Sequence, residues 1–273
     1  MIEFYKMSGS GNDFIIIDNL DLSLDVGDLS EFARKICQRK FSVGADGLVI
    51  IEPSDTADFQ WHFFNADGSL AEMCGNAARC VARFAFMKGI TGGEMSWETI
   101  AGIISASVNG DVVKVNLTDP SLVETAVTLE ADGQKFILDT VDTGVPHAVM
   151  FVDDLDHYDV HHNGRKIRYH DYFSPKGTNA DFVTVPDRQN IKVRTYERGV
   201  EGETLACGTG MVAAVIAAAQ RGLVDSPVDV LARGGETLRV YFENQDGLWR
   251  QIYLEGRVKM VYHGFLFEEA YKS

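Results

Sequence analysis

The sequence has few cysteines, no surplus of positive charge and no long apolar run, and each absence excludes a class of protein. Four cysteines in 273 residues are too few for a disulfide scaffold, and no Cys-x-x-Cys pair suggests structural zinc. Lysine and arginine number 25 against 40 aspartates and glutamates, and the net charge of −15 disfavours partners such as nucleic acid or an anionic membrane. The longest apolar run, 211–219, is far shorter than the ~20 residues that span a bilayer.

The beginning of the chain has neither the basic region nor the apolar stretch of a secretion signal. Apolar residues make up 45% of the chain and charged residues 24%, as in ordinary globular proteins. We therefore expect a cytoplasmic protein of one or two domains with reduced thiols, and the function of those thiols becomes the main question.

The chain repeats one pattern at half its length. Cys74 and Cys207 lie 133 residues apart, and each is followed by glycine and by a helical pattern that ends at a glycine fifteen residues on. A strand pattern precedes each cysteine, and a hairpin pattern follows each helix. This repeated order favours internal duplication. The predicted strands are 59–65 and 191–197, the helices end at Gly89 and Gly222, and the hairpins turn at Asn109-Gly110 and Asp246-Gly247.

The apolar segment 211–219 indicates the architecture. A helix that is apolar on every side is enclosed by other structure. Many short strands with tight glycine turns indicate a strongly curved, mixed or antiparallel sheet around such a helix. We therefore predict an α+β fold of two pseudo-symmetric domains, each a barrel-like sheet around a central helix. A doubly wound nucleotide fold is disfavoured because no Gly-x-Gly-x-x-Gly joins a strand to a helix.

Cysteines that open helices are candidates for acid–base chemistry. Unpaired backbone N–H groups and the helix dipole lower the pKa of a thiol at this position and also attract a carboxylate. Two such cysteines on one substrate would remove a proton from one face of a carbon and return one to the other. Cys37 and Cys80 lack this context, and we expect them to be inert core residues.

Other polar residues are less informative when each is taken singly. His147 is a possible base or modulator of a thiol, and the doublet Glu197-Arg198 offers groups for an ammonium and a carboxylate. Asn12 lies in a glycine turn, and Asn179 follows a Gly-Thr pair. The histidines at 157, 161 and 162 suggest a metal site at first, but the aspartates around them favour a solvated loop or helix start.

Together these motifs resemble those of the diaminopimelate epimerase family. The resemblance covers nearly the whole chain, and its most specific part is the pair of cysteine motifs with their flanks. The matching segments are Ser8-Gly-Ser-Gly-Asn-Asp-Phe14, Phe64-Asn-Ala-Asp-Gly-Ser69, Cys74-Gly-Asn76, Pro146-His147, Gly177-Thr-Asn179, Tyr196-Glu-Arg-Gly199 and Cys207-Gly-Thr-Gly210.

The resemblance implies a cofactor-independent homodimer, without PLP, that epimerises L,L-diaminopimelate to meso-diaminopimelate. It implies a first domain of 1–118 to which about 260–273 returns, a second domain of 119–259, and an active site between the two. Cys74 and Cys207 would be the acid–base pair, and His147 and Glu197 would adjust the pKa values of their thiols. The implied substrate-binding residues are Asn12, Asn65, Gly75, Asn76, Asn179, Glu197, Arg198, Gly208 and Thr209.

The chain departs from the family pattern at three places. Gly47 stands where glutamine is frequent, Val145 stands where asparagine is usual, and the loop Gly199–Thr204 has one additional residue. The first two departures each remove a polar substrate contact.

Several alternatives to this enzyme remain open at this point. A two-cysteine racemase for proline or hydroxyproline would use the same chemistry on another amino acid. A thiol protease or acyltransferase would need one cysteine with a histidine partner. A redox dithiol would need both cysteines within bonding distance, and a non-catalytic binding protein would not need either.

Overall fold

We describe residues 1–272 from a computed structural model of the chain. These residues form two compact units. Unit 1 comprises Met1–Val115 together with the described residues from Gly256 onward, and unit 2 comprises Asn116–Glu255. Among residues 1–272, none of the helices combines the length and apolar character that crossing a bilayer requires.

Unit 1 is an eight-stranded mixed sheet with two α-helices and a short 3-10 turn, Glu268–Ala270. Its strands follow the sequence order except that the last one pairs with the first. Helix α1 begins after Asp28, whose side chain accepts a hydrogen bond from the Glu31 N–H as an N-cap. The elements are β1 (Ile2–Gly9), β2 (Asn12–Asp18), α1 (Leu29–Ile36), β3 (Gly47–Glu52), β4 (Phe59–Asn65), α2 (Gly75–Lys88), β5 (Glu94–Thr99), β6 (Gly102–Asn109), β7 (Val112–Asn116) and β17 (Lys259–Leu266).

Unit 2 contains nine strands, two α-helices and a short 3-10 turn, Asp171–Phe173. Helix α3 is capped by Asp159, which accepts from the His162 N–H. The elements are β8 (Ser121–Ala131), β9 (Gln134–Asp142), β10 (Pro146–Phe151), α3 (Val160–Arg168), β11 (Asn179–Asp187), β12 (Asn190–Glu197), β13 (Gly202–Glu203), α4 (Gly208–Gln220), β14 (Val228–Ala232), β15 (Thr237–Gln245) and β16 (Leu248–Arg257).

The strand pairing of unit 1 recurs in unit 2. The order β17-β1-β2-β3-β4-β5-β6-β7 has the same sequence of parallel and antiparallel pairs as β8-β9-β10-β11-β12-β14-β15-β16. In both units, two parallel pairs alternate with antiparallel ones. The predicted α+β class of two similar halves is therefore confirmed.

The second helix of each unit is buried. In α4, residues 210–218 are all buried, because its mostly alanine and valine surface leaves no polar face for solvent. Helix α2 is buried from Gly75 to Ala82 and packs on β1, β2 and β6. The predicted enclosure of 211–219 is confirmed for 211–218, and the predicted helix ends near Gly89 and Gly222 are also confirmed.

The two predicted hairpins form, with one correction. Gln245 pairs with Leu248 across Asp246-Gly247, and both turn residues have positive φ, as in a type I′ turn. In the first hairpin Asn109 pairs with Val112, so the turn residues are Gly110-Asp111 rather than the predicted Asn109-Gly110. Only the first of these has positive φ, which is the pattern of a type II′ turn with glycine leading.

Candidate active site

Cys74 and Cys207 occupy the same position in their units. Each is the N-cap of the buried helix, with extended backbone: φ is −149° at Cys74 and −119° at Cys207. Cys74 is half-buried and Cys207 is buried. The strands predicted before the cysteines form as β4 and β12, and they end at the predicted residues, Asn65 and Glu197.

Backbone amides that have no acceptor within their helix lie beside both thiols. Hydrogen bonding inside α2 begins with the Ala78 N–H, which donates to the Cys74 carbonyl at 2.9 Å, and inside α4 with the Met211 N–H, which donates to the Cys207 carbonyl at 2.9 Å. The preceding amides, among them those of Gly75, Asn76, Gly208 and Thr209, therefore lack an intrahelical acceptor. Such amides, at the positive end of a helix dipole, are suited to a carboxylate.

An ordered polar chain surrounds the cysteine end of α2 in unit 1. Arg79 is fully buried, and its guanidinium donates to Ser10 Oγ at 2.6 Å and to Asn76 Oδ1 at 2.8 Å. Asn76 Nδ2 in turn donates to Asn12 Oδ1 at 2.6 Å, and Asn12 Nδ2 donates to Asp46 Oδ2 at 3.1 Å. The structure thus brings together two predicted substrate-binding residues, Asn12 and Asn76, and sets the direction of both amides.

Asn65, also predicted to bind substrate, is exposed at the end of β4, and its Nδ2 donates to Ser69 Oγ at 3.0 Å. Gly47 is its sheet partner. A Cβ at Gly47 would lie 2.7 Å from the Phe64 carbonyl oxygen and 2.8 Å from a Phe63 ring carbon. The absence of a side chain at Gly47 therefore follows from close packing on β4, and glutamine would not fit this backbone without a shift.

In unit 2, Cys207 lies among carboxylates. Burial, reinforced by the negative charges of Glu197 and Asp181, raises the pKa of the Cys207 thiol well above its usual value. The Thr209 hydroxyl, 3.5 Å from Sγ, and the Gly210 backbone amide act in the opposite direction. The resulting balance favours the protonated thiol at this position.

Glu197 is the last residue of β12, Arg198 follows it, and both are half-buried. Burial raises the pKa of the Glu197 carboxyl, while the Thr204 hydroxyl and the proximity of His147 act in the opposite direction. Arg198 donates through Nη1 to the Lys176 carbonyl at 3.1 Å, and its backbone N–H donates to Asn179 Oδ1 at 2.8 Å. The predicted residues Glu197, Arg198, Asn179 and Cys207 therefore belong to one neighbourhood.

His147 lies at the start of β10 and is buried. Its Nδ1 is 2.7 Å from Asp181 Oδ2, and its Nε2 is 3.4 Å from Asn179 Nδ2. The other Asp181 oxygen accepts from Thr195 Oγ1 at 2.7 Å. His147 and Asn179 are direct sheet neighbours in the parallel pair β10–β11, which explains why two residues far apart in sequence meet.

The other departures and the remaining thiols lie in ordinary surroundings. Val145 is half-buried, and its carbonyl accepts from the Thr143 N–H at 3.1 Å. In the loop with the additional residue, Val200 is exposed and Glu201 is bound by Arg168 at 3.0 Å. Cys37 and Cys80 are core residues as predicted, and burial raises the pKa of Cys37 to about 12.

The histidine cluster behaves as a helix start. His157 Nδ1 lies 2.9 Å from Asp154 Oδ2 at an exposed position, and His161 and His162 are in the first turn of α3. Among residues 1–272, no three or more His, Cys, Asp or Glu side chains converge into an arrangement that could hold a metal ion.

Sequence reasoning missed four residues that support these groups: Arg79, Asp46, Asp181 and Thr195. Two of them carried a signal. Arg79 is a charged residue within the buried face of α2, and Asp181 is a carboxylate within the apolar run of β11. A charged residue at a core position requires a partner, and that requirement marks it as a site candidate.

Solved structures define the fold class. The chain superimposes on a phenazine biosynthesis protein of the PhzF family from Bacillus anthracis with a TM-score of 0.77 and 16% identity, covering 97% of this chain and 99% of that one. A probable proline racemase from Agrobacterium radiobacter K84 gives a TM-score of 0.71 at 15% identity, covering 98% and 93%. The two-unit architecture is thus shared with proteins of diverged sequence.

The sequence comparisons go further than the fold. The model of the family described as diaminopimelate epimerase matches residues 4–123 and 140–261, one match in each half. A diaminopimelate epimerase from Aquifex aeolicus (strain VF5) is 48% identical over 279 residues, covering 98% of this chain and 99% of that protein. The chain belongs to the diaminopimelate epimerase family.

Proposed function

We propose that this chain epimerises L,L-diaminopimelate to meso-diaminopimelate with Cys74 and Cys207 as its two acid–base residues. The observation that carries the proposal is the repeated placement of a cysteine at the N-cap of a buried helix, at the same point of the same strand order. Family membership and the 48% identity to a full-length relative favour diaminopimelate over proline as the substrate.

The reaction requires two proton transfers at one carbon. One cysteine thiolate takes the α-proton and becomes a thiol, and the other thiol gives its proton to the opposite face and becomes a thiolate. Each turnover therefore exchanges the protonation states of the two cysteines. Because burial and two carboxylates favour the thiol form of Cys207, we assign Cys207 as the resting acid and Cys74 as the resting base.

The α-proton of an amino acid is a very weak acid, and the developing carbanion needs electrostatic stabilisation. The unpaired amides of Gly75 and Asn76 in one unit, and of Gly208 and Thr209 in the other, are the donors that we assign to the reacting carboxylate. Donors fixed by a helix require no reorganisation as charge develops. His147 and Glu197 adjust the thiols in this scheme, and Glu197 is also a substrate ligand.

The remaining polar residues are assigned to the rest of the substrate. Diaminopimelate carries two amino-acid head groups, and the distal one presents another carboxylate and another ammonium. Arg198 matches the carboxylate and Glu197 matches the ammonium. Asn12, Asn65 and Asn179 complete the binding set.

The scheme includes the form in which the enzyme works. We propose a cytoplasmic homodimer that needs neither PLP nor another cofactor. We also propose that the units act as the two catalytic domains, divided near residues 118 and 259, with each domain supplying one thiol.

Incubation with L,L-diaminopimelate in D₂O without added cofactor tests the proposal. We expect meso-diaminopimelate whose inverted carbon carries solvent deuterium, as measured by NMR and mass spectrometry. The same incubation with L-proline and trans-4-hydroxy-L-proline is the control. Inversion of either of these in place of diaminopimelate would refute the substrate, and trapping of an acyl-enzyme at one cysteine would refute the mechanism.

A further inference from the structure

The Asp181 carboxylate is fully buried in β11, and the scheme above gives it no step. One of its oxygens contacts the His147 ring and the other accepts from Thr195. A buried carboxylate is costly unless it is fully hydrogen-bonded, so its two bonds are structurally significant. Helix α4, which begins at Cys207, leaves room for the Asp181 carboxylate because it has glycine at position 210. A Cβ at Gly210 would lie 2.4 Å from Asp181 Oδ1.

The hydrogen bonds around His147 determine its tautomer from both sides. The Arg198 backbone N–H is a donor and bonds Asn179 Oδ1 at 2.8 Å, so Asn179 Nδ2 is the atom that faces His147 Nε2. Because an amide Nδ2 only donates, Nε2 must accept. The ring proton is therefore on Nδ1, where Asp181 Oδ2 accepts it at 2.7 Å.

We propose that Asp181, oriented by Thr195, is a positioning residue that holds His147 as the neutral Nδ1–H tautomer with the Nε2 lone pair directed toward Asn179. The proposal deepens the function proposed above and rests on it for the catalytic meaning of His147. The ionisable groups around the ring are Asp181 and Glu197, and both also influence the Cys207 thiol. A fixed acceptor nitrogen among these groups is suited to receive and return a proton.

Asp181→Asn provides a directional test. If Thr195 Oγ1 keeps donating to the oxygen that corresponds to Oδ1, the new amide nitrogen faces His147 Nδ1. That nitrogen only donates, and it should drive the ring proton from Nδ1 to Nε2. The variant then loses the long 3.4 Å contact between Nε2 and Asn179 Nδ2, because two donors would face each other there. We expect the ¹⁵N shifts of His147 to change from the Nδ1–H to the Nε2–H pattern. The His147→Gln variant assigns the signals among the seven histidines.

Asp181→Asn should lower kcat by at least about 10-fold with a smaller change in KM, since a positioned acid–base group contributes about 10²- to 10⁴-fold and a wrong tautomer loses part of that. Removal of the Thr195 constraint should then reverse part of the effect. In Asp181→Asn combined with Thr195→Val, the amide is free to turn its oxygen toward Nδ1. We expect the Nδ1–H pattern and part of the lost kcat to return.

Asp139→Asn is the matched control. Asp139 is equally buried in the same unit, but its carboxylate is bound by Arg221 at 2.6 and 2.7 Å instead of by a histidine. We expect this variant to lower the urea midpoint while the His147 tautomer and kcat stay unchanged.

The outcomes separate this inference from the proposed function. An unchanged His147 tautomer in folded Asp181→Asn, or failure of Thr195→Val to restore it, would overturn the positioning role. The tautomer is read in the absence of substrate. If it shifts as expected while diaminopimelate is not epimerised by the native chain, the positioning role stands and the proposed function fails.

Discussion

The cysteine sites of the two units share one arrangement, a strand followed by a cysteine at the N-cap of a buried helix. They differ in the charged side chain that is buried beside that helix. In unit 1 that charge is the Arg79 guanidinium, which comes from the helix itself. In unit 2 it is the Asp181 carboxylate, which comes from a neighbouring strand. At the helix positions that match Ala77 and Arg79, 133 residues on, unit 2 has Gly210 and Val212.

The difference gives the two cysteines unlike electrostatic surroundings, as the proposed two-base scheme requires. The buried cation beside the N-terminal amides of α2 adds to the positive end of the α2 dipole. The buried carboxylate beside the N-terminus of α4 opposes the positive end of the α4 dipole. A two-base reaction needs one thiolate and one thiol at a time, and unlike surroundings favour that pairing. Each variant below tests one side of the comparison.

The largest effect is expected from removal of either thiol. Cys74→Ala and Cys207→Ala should each lower kcat by about 10²- to 10⁴-fold, because each removes an acid–base group that the other cannot replace. Steady-state epimerisation assays measure this. Cys37→Ala, which changes a core cysteine, is the control and should stay close to native activity. Full activity of Cys74→Ala or of Cys207→Ala would contradict the two-base mechanism.

Arg79→Met removes the buried cation while it keeps the length of the side chain. The bonds to Ser10 and Asn76 are lost, and hydrogen bonds to charged groups typically contribute about 1.5–3 kcal/mol each. We expect at least that loss in the free energy of unfolding, measured with urea, and a higher KM because Asn76 and Asn12 lose their fixed orientation. Lys259→Met, at an exposed position of the same unit, should change stability by less than about 0.5 kcal/mol. An equal effect at both positions would contradict the special role of Arg79.

Substitutions at the matched positions Gly210 of α4 and Ala77 of α2 test whether only α4 needs a glycine there. Gly210→Ala would place Cβ 2.4 Å from Asp181 Oδ1 and 3.1 Å from Thr195 Oγ1, and such crowding typically costs about 1–3 kcal/mol. Ala77→Gly at the matched position should cost about 0.5–1 kcal/mol through helix propensity alone. Urea midpoints give the stabilities and assays give kcat. We expect only Gly210→Ala to lower kcat strongly, and a reversed order would contradict the packing that we describe.

The smallest effect is a shift in pH dependence. Glu197→Gln removes a negative charge that disfavours the Cys207 thiolate, so the pKa of this thiol should fall toward its ordinary value. Alkylation of the Cys207 peptide, followed by mass spectrometry as pH rises, should then begin at lower pH than in the native chain. Glu243→Gln, at an exposed position of unit 2, should leave the profile unchanged. A shift to higher pH would reverse the sign that we assign to this charge.

Local sequence patterns were sufficient to predict the two buried helices that begin at the cysteines. The Cys-Gly starts, the glycine stops and the apolar run of 211–219 predicted both helices, because helix ends and enclosed faces depend on nearby residues. The turn at Asp246-Gly247 was predictable for the same reason. The turn at Gly110 was predicted one residue early, since glycine serves either central position and the pairing of Asn109 with Val112 decides between them.

The partners of the supporting residues were not predictable because they are distant in sequence. Asp181 meets His147 across β10–β11 and Thr195 across β11–β12, and neither register is readable from composition. Arg79 reaches Ser10 from α2 in the same way. In the sequence, a buried charged residue is visible only as an interruption of an apolar run. Its partner can be identified only once the fold is known.

The pairing of β17 with β1 has a consequence for biosynthesis. Ile2 pairs with Leu266, whereas the strands of unit 2 follow one another without interruption. A nascent chain therefore exposes the edge of β1 until residues 259–266 emerge, directly after β16, the last strand of unit 2. Loop closure over such a separation is slow and entropically costly. Unit 1, whose strands are the first to be synthesised, is therefore the last to complete its sheet.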